Sequence, residues 1–307
     1  MTYVLPADQA RKLRDLAEDR VSGAREIVGR LLNVVADLLR EPGPVEDLLV
    51  LAASAVIPHQ PTMAGLLTGM DRLFSAVLRG GRDAVQSEVE RQLLDHRRDL
   101  ARIAEVAEPA VRPYRSVAIL SWSSTIAEIL DRSGGRFESV IVAESRPGSE
   151  GRRAAQRAIT AGRRVRFVAD AAFPVEAASA DALLLGGDAL APLGLLNKVG
   201  SRAAAREVRA AGKPVFACIE DLKIVGGGLA DRLRILDEPA AQLWESPPAG
   251  VEIRNRYFES TPLSLLTAVI TTTGVESPSD AIDRAGQATP HPAWSKVATP
   301  VVGAVPW

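Results

Sequence analysis

Cysteine and histidine are scarce in this sequence of 307 residues, which has one cysteine and three histidines. A single cysteine, Cys218, excludes an intramolecular disulfide framework. The histidines, His59, His96 and His291, are scattered and do not have the spacing of metal ligands. The sequence therefore predicts no metal site, and it gives no reason to expect a cofactor.

An excess of one charge is also absent. The chain has 37 basic and 38 acidic side chains, so its formal net charge is −1. Such a balance supplies no broad basic field that would hold nucleic acid or an anionic membrane surface. We therefore expect no direct nucleic-acid binding, and any site for an anion has to be local.

Long apolar runs are missing as well. No stretch approaches the roughly 20 apolar residues of a membrane span, so no membrane partner is expected. The opening residues, MTYVLPADQARKLRDL, lack the apolar core of a signal peptide. These features predict a cytoplasmic protein.

The first 110 residues have the periodicity of helices. Apolar residues such as Ile27, Leu31, Val34, Val35 and Leu38 recur at three- and four-residue spacing, which is typical of an amphipathic helix. The same pattern predicts helices over residues 10–19, 24–39, 44–56, 61–78 and 82–108. Residues 1–110 are therefore predicted to form an N-terminal helical domain.

Beyond Pro113 the pattern changes to short runs of Val, Ile and Leu that alternate with helical stretches. The runs cover residues 116–120, 139–143, 164–169, 182–185 and 214–219. This rhythm is typical of a parallel sheet with crossover helices, so residues 111–278 are predicted to form a Rossmann-like α/β domain. Residues 279–307 are rich in Pro and Ala without a usable period. We expect a tail, or an arm on a neighbouring molecule, whose removal from residue 288 onward leaves the fold intact.

Polar side chains follow each predicted strand, where ligands of open parallel sheets bind. The candidates for ligand binding are Ser123, Ser124, Arg146, Gly151, Arg152, Asn197, Lys198 and Lys223. Hydroxyls, amides and cations at helix starts suit a phosphate. Asp188, after an apolar strand, suits sugar hydroxyls or general-base chemistry. Structural alternatives stay open: Asp188 as a turn cap, Lys198 as a lysine with a buried stem, and the arginines as solvated loop charges.

Four segments in order along the chain carry a family resemblance. They are AESRPGSEGR (143–152), LLGGDALAPLGLLNKVGS (184–201), CIEDLKI (218–224) and RNRYFESTPLSLLTAVITTTGV (254–275). Together they resemble the superfamily of sugar-phosphate isomerases and the α, β and δ subunits of translation initiation factor 2B. Methylthioribose-1-phosphate isomerase and ribose-1,5-bisphosphate isomerase belong to it. The resemblance implies a pocket for a phosphorylated sugar or a nucleotide, and a homodimer.

The departures from this family concern catalysis. The resemblance implies that Asp188 is the catalytic aspartate, but Trp122 stands in the place of the cysteine with which the isomerases move hydrogen between two sugar carbons. Ser22 and Gln60 replace two arginines that hold the substrate phosphate, although Arg20 or Arg25 could reach the same place.

Two functions follow from this comparison. The first is a ligand-binding or scaffolding protein without isomerase activity, which the loss of the cysteine favours. The second is an active aldose–ketose sugar-1-phosphate isomerase that uses Asp188 for proton transfer.

Overall fold

A computed structural model describes residues 5–286 and 289–298. The helical half contains α1 (Ala7–Glu18), α2 (Ala24–Leu38), α3 (Val45–Val56) and α4 (Ala64–Val111). On α2 the five apolar residues that define its period are all buried, as the pattern predicts. They pack against α1, α3 and α4 in one apolar cluster.

Helix α4 folds back on itself at Gly80 and Gly81, where the backbone leaves helical geometry. Gly81 has a φ of 59°, a region that favours glycine. The two limbs then pack side by side. A hydrogen bond joins them, in which Nε2 of Gln92 donates to the carbonyl oxygen of Gly69 at 3.1 Å. The helices predicted over residues 61–78 and 82–108 are these two limbs.

The second half alternates strands and helices along the chain. Its elements are β1 (Ser116–Ile119), α5 (Ser124–Arg132), β2 (Ser139–Ala143), α6 (Gly151–Thr160), β3 (Arg164–Val168), α7 (Phe173–Ala177), β4 (Ala182–Leu185), β5 (Ala189–Ala191), β6 (Gly194–Lys198), α8 (Ser201–Ala210), β7 (Val215–Cys218), α9 (Gly227–Ala230), β8 (Phe258–Thr261), β9 (Ala268–Ile270), β10 (Val275–Glu276) and α10 (Pro278–Ala285).

Seven of these strands form one sheet in the order β10-β9-β7-β4-β1-β2-β3. All neighbours pair in parallel except β10, which runs antiparallel to β9. The chain moves outward from β1 to β3 and then returns to the other side of β1 with β4. The order therefore reverses between β1 and β4, and in such sheets ligands bind at that point, outside the carboxyl ends of the strands. The predicted α/β fold with a Rossmann-like parallel sheet is confirmed.

Three more strands form a small antiparallel sheet in the order β5-β6-β8. Strands β5 and β6, which the sequence did not predict, form a hairpin directly after Asp188, in which Ala189 pairs with Leu196. The hairpin returns the chain beside Asp188, whose backbone N–H donates to the carbonyl oxygen of Leu196 at 2.9 Å.

The segment after α10 differs from its prediction as a peripheral tail. Trp294 is 2% exposed and belongs to the apolar cluster of the helical half. Its ring meets the ring of Phe74 edge to face at 5.5 Å between centroids, and its Nε1 donates to Asp71 at 2.9 Å. The expectation that residues 288–307 add no core is therefore wrong for residues 289–298. Residues 287–288 and 299–307 lie outside the described residues.

A helix that spans a membrane must be both long and apolar. Within the described ranges, no helix combines the length and the hydropathy that crossing a bilayer requires.

Candidate functional site

A cavity of about 420 Å³ lies between the helical half and the carboxyl ends of β1, β2 and β4. We call it the main cavity. Its wall includes the turn from Asp19 to Ala24, the segment from His59 to Met63, Trp122, the segment from Gly148 to Arg153 without Gly151, Asp188, Asn197, Lys198, Glu238 and Tyr257. It therefore occupies the point at which the strand order of the sheet reverses.

A second cavity of about 300 Å³, the side cavity, shares part of this wall. Trp122, Arg153, Asp188 and Asn197 line both cavities. The side cavity also reaches Ser123, Ser124 and Lys223. Two adjoining spaces with common walls thus bring together seven of the nine predicted site residues.

Three helices begin at these cavities. The hydroxyl of Ser123 caps α5 and accepts from the N–H of Ile126 at 3.3 Å. Helix α2 begins at Gly23 without a side-chain cap. Among the described residues, the N–H groups of Gly23 and Ala24 have no acceptor. Free N–H groups and a helix dipole at a cavity wall favour an anion such as a phosphate.

Helix α6 begins at Gly151, which is buried and does not line the main cavity. A Cβ atom at this position would lie 1.8 Å from the carbonyl oxygen of Ala143. Only glycine therefore lets the start of α6 pack against the end of β2. Gly151 has a positioning role and is not itself a wall residue.

Asp188 lines both cavities and is partly buried. Burial raises its pKa to about 6, because the positive charges of Lys223 and Lys198 only partly offset the loss of water. No described residue donates a hydrogen bond to its carboxylate. The alternative role as a turn cap is therefore not what this side chain does. A carboxylate with a free lone pair and a pKa near neutrality can accept from a hydroxyl group or exchange a proton.

Lys198 is 3% exposed, and its ammonium does not face open solvent. Its Nζ lies 3.0 and 3.1 Å from the two carboxylate oxygens of Glu150, and 4.2 Å from the ring centre of Tyr257. Glu150 belongs to the loop before α6, so Lys198 holds that loop against β6. Neighbouring Asn197 donates to the hydroxyl of Ser201 at 3.0 Å.

Lys223 belongs to a buried charge cluster beside the side cavity. Its Nζ lies 2.7 Å from one oxygen of Glu220, and the guanidinium of Arg25 lies 3.3 Å from the other. Burial alone would raise the pKa of Glu220, but Lys223 and Arg25 hold it at about 2. Arg25 thus reaches the cavity region, as the sequence suggested, and it is committed to Glu220.

The predicted arginines separate into two groups. Arg152 lines the main cavity and pairs with Glu144 at 2.8 Å. Arg146 is exposed and lies outside the walls of both cavities; its backbone N–H donates to Asp170 at 2.7 Å. Arg153, which the sequence analysis did not single out, stacks over the ring of Trp122 at 4.0 Å.

Ser22 and Gln60, which stand in place of the two family arginines, also line the main cavity. Gln60 is buried, and its Nε2 donates to the carbonyl oxygens of Leu16, Ala17 and Asp19, where α1 ends. Arg20 lines the main cavity and pairs with Glu238 at 3.5 Å. Burial raises the pKa of Glu238.

Several wall residues were not predicted from the sequence. Glu150 and Tyr257 lie inside two of the segments that carry the resemblance, so their positions could have been singled out. Glu220, which lines neither of these two cavities but pairs with Lys223 and Arg25 of the side cavity, lies in a third. Glu238 gave no signal, because it lies in an irregular stretch between α9 and β8. Within the described ranges, no cluster of His, Cys, Asp and Glu is suited to a metal ion.

The chain is similar in sequence to known proteins. The model of the initiation factor 2 subunit family matches residues 34–278. Ribose 1,5-bisphosphate isomerase of Archaeoglobus fulgidus is 26% identical over 185 residues, which are 58% of this chain and 58% of that protein. Subunit alpha of translation initiation factor eIF2B from Dictyostelium discoideum is 27% identical over 197 residues, 59% of this chain and 61% of that protein. The matches thus span less than two thirds of these relatives.

A solved structure shares the fold. The translation initiation factor eIF-2B of Pyrococcus horikoshii OT3 superimposes with a TM-score of 0.78 at 22% identity, covering 91% of this chain and all of that chain. All four segments that carried the resemblance lie within residues 34–278, the range that the family model matches. The chain belongs to the initiation factor 2 subunit family.

Proposed function

We propose that this chain is an initiation-factor-2B-like protein that binds a phosphorylated sugar or a nucleotide in the main cavity and does not isomerise it. The family contains proteins named as sugar-phosphate isomerases and proteins named as initiation-factor subunits. The choice between them for this chain rests on the chemistry of the cavity wall.

The observation that carries the proposal is the lack of a thiol at the cavities. After β1 the wall presents the indole of Trp122 and the hydroxyl of Ser123. Cys218 is fully buried within β7, and burial raises its pKa to about 12. An indole offers only an N–H donor. Neither cavity therefore holds the thiol of the isomerases.

The wall supports binding of a phosphorylated ligand. The free N–H groups at the start of α2, together with Arg152 and Arg153 of the same wall, suit a phosphate. Sugar hydroxyls are suited to the unpartnered carboxylate of Asp188 and to Asn197. Lys198 and Gly151 shape the loop before α6 and do not need to touch the ligand.

The alternative is an active sugar-1-phosphate isomerase, and one observation favours it. Asp188 has a pKa of about 6, which suits a group that takes and returns a proton near neutral pH. Glu238, whose pKa is also raised by burial, lines the same cavity and could serve as the second acid.

A thermal-shift panel tests binding. Ribose-1,5-bisphosphate, methylthioribose-1-phosphate, other pentose phosphates and nucleoside monophosphates are each added to the full chain. A ligand at about 100 times its Kd stabilises the folded state by roughly 2.7 kcal/mol. We expect at least one ligand to stabilise the protein, and Asp188→Asn and Arg152→Ala to weaken its binding. A flat panel contradicts the proposal.

Isomerase assays on the first two compounds separate the two functions. We expect no turnover. Turnover at ordinary enzyme rates that Asp188→Asn abolishes would overturn the non-catalytic proposal and support the isomerase.

We further propose that the protein works in the cytoplasm as a homodimer. One solved structure of this fold is the tetrameric eIF2B-beta2-delta2 complex from C. thermophilum, so assembly occurs among proteins of this fold. Exposed apolar side chains such as Leu193 and Val175, at 64% and 71%, are available for an interface. Light scattering at micromolar concentration should give the mass of a dimer; a monomer contradicts this part of the proposal.

A further inference from the structure

A third cavity, of about 230 Å³, lies among α2, the two limbs of α4 and the turn Asp221–Lys223 that follows β7. We call it the rear cavity. It shares Arg25, His96 and Lys223 with the side cavity but has no residue in common with the main cavity. Val28, Leu32 and Leu222 supply its apolar wall. The proposed phosphosugar site does not use this space.

Most charged side chains in this wall have a partner of opposite charge. The pairs are Arg25 and Lys223 with Glu220 (3.3 and 2.7 Å), Asp221 with Arg284 (2.8 Å) and Asp95 with Arg91 (2.7 Å). Two charged wall residues, Arg72 and Asp99, have no hydrogen-bond or ion-pair partner among the described residues. One is a cation and the other an acid.

Both groups lose water without gaining a partner. Burial lowers the pKa of the Arg72 guanidinium, and burial raises the pKa of Asp99 to about 6. Glu88, Asp95 and Asp221 attract Arg72, but none of them lies within ion-pair distance of it. Both side chains are partly buried. Loss of water without a partner is costly for a charged group, so a ligand that supplies both partners would bind favourably.

Two neutral groups add hydrogen-bonding capacity to the wall. Gln92 is 3% exposed; its Nε2 donates to Gly69 and Glu88, whereas its buried Oε1 has no donor. Burial and the charge of Arg25 lower the pKa of His96 to about 4, so its imidazole is neutral near pH 7. The Oε1 acceptor is enclosed by protein, whereas other atoms of Gln92 line the rear cavity.

We propose that the rear cavity is a second small-molecule site and that it binds a small zwitterion, such as an amino acid. Arg72 holds the carboxylate of the ligand, and Asp99 holds its ammonium group. The two unpartnered charges cancel, so the complementary ligand carries one charge of each sign.

The size and composition of the cavity agree with this class of ligand. Its volume lies below the roughly 300–1,000 Å³ of pockets for drug-sized molecules. Among the described wall residues, no phenylalanine, tyrosine or tryptophan offers a ring on which a nucleobase could stack. The aliphatic wall accepts an apolar side chain or methylene chain.

Calorimetric titration of the full chain tests the proposal. The probes are the common α-amino acids and ω-amino acids with longer spacing between the charges, with N-acetyl and amide derivatives as controls. We expect at least one amino acid to bind, and both derivatives of it to bind at least about tenfold more weakly, since each loses a charge-assisted hydrogen bond.

Variants locate the binding site. Arg72→Met should weaken binding at least about tenfold, and Asp99→Asn should do the same. Arg79→Met is the matched control, because Arg79 lies on the same limb of α4, is 58% exposed and does not line the rear cavity. Failure of every amino acid to bind, or equal binding by the folded Asp99→Asn variant, overturns the proposal. These probes carry no phosphate, so the result is independent of the phosphosugar panel.

Discussion

Lys198 and Glu150 form a bidentate contact in which one ammonium nitrogen lies 3.0 and 3.1 Å from both carboxylate oxygens. The lysine is 3% exposed, whereas the glutamate is 30% exposed. The contact joins the end of β6 to the loop before α6, and both ends line the main cavity. The ammonium therefore shapes the cavity wall through Glu150.

Glu150→Gln should lower the free energy of unfolding by about 3 kcal/mol, because it leaves a buried ammonium without its counter-charge. Adding Lys198→Met should restore part of that loss, since the double variant buries no charge. Urea denaturation of the two single variants and the double variant measures the coupling. If the losses simply add, the two side chains do not depend on each other.

Asp188→Asn should stabilise the folded protein at neutral pH. The pKa of Asp188 rises from 3.8 to about 6 on folding, so the ionised carboxylate disfavours the folded state. This penalty is absent below pH 3.8 and complete above about pH 6. We expect a gain of about 1–3 kcal/mol near neutrality that shrinks toward acid.

Chemical denaturation across this pH range checks the prediction. Asp283→Asn, on the exposed face of α10, is the control and should change stability by less than about 0.5 kcal/mol. A destabilised Asp188→Asn variant at neutral pH would mean that the ionised carboxylate has a stabilising partner.

Asp19→Asn should have the opposite effect. The carboxylate accepts from the N–H groups of Val21 and Ser22 at 2.9 and 2.8 Å and from Arg30 at 2.6 Å. Burial alone would raise the pKa of Asp19, but these hydrogen bonds hold it at about 2. The stabilisation is complete above pH 3.8 and is lost as the pH falls through about 2.

We expect Asp19→Asn to cost about 1–2 kcal/mol at neutral pH. It should also weaken ligand binding, because the same turn leads into the uncapped start of α2. Thermal melts with and without the ligand found in the panel measure both effects. Unchanged melting at neutral pH would show that the turn holds its shape without the carboxylate.

Trp294→Ala should cost about 3–5 kcal/mol, the usual loss for a buried tryptophan. The ring is 2% exposed, contacts Phe74 and donates to Asp71. Trp244→Ala is the matched control, since Trp244 is 50% exposed and should lose little. Equal melting temperatures for the two variants would place Trp294 outside the cooperative core.

Helices and strands could be predicted from the sequence where the pattern of neighbouring residues shows the type of the whole element. The apolar period of α2 and the Val/Ile runs of β1 and β2 are such patterns, because burial of one face or of a whole strand leaves its mark on neighbouring residues. The hairpin β5–β6 was missed, since strands of three and five residues beside glycines carry no clear alternation.

The candidate site was predictable to a similar degree. Residues that follow strands of the parallel sheet, such as Ser123 after β1 and Asp188 after β4, could be placed at the cavities because the carboxyl ends of parallel strands share one edge. The partners of the site residues could not be predicted from the sequence. Glu150 meets Lys198 across 48 positions of sequence, and Trp294 meets Asp71 across 223, distances over which no periodicity extends.

The contact of His291 and Trp294 with Asp71 bears on the order in which the chain is made. His291 and Asp71 are separated by 220 residues, which a ribosome takes ~10–40 s to add at 5–20 residues per second. Until then the helical half, although synthesised first, lacks an indole that fills its apolar cluster. Its final packing on the ribosome therefore waits until Trp294 has been added, and during that interval the apolar surface that this indole covers is open to chaperones.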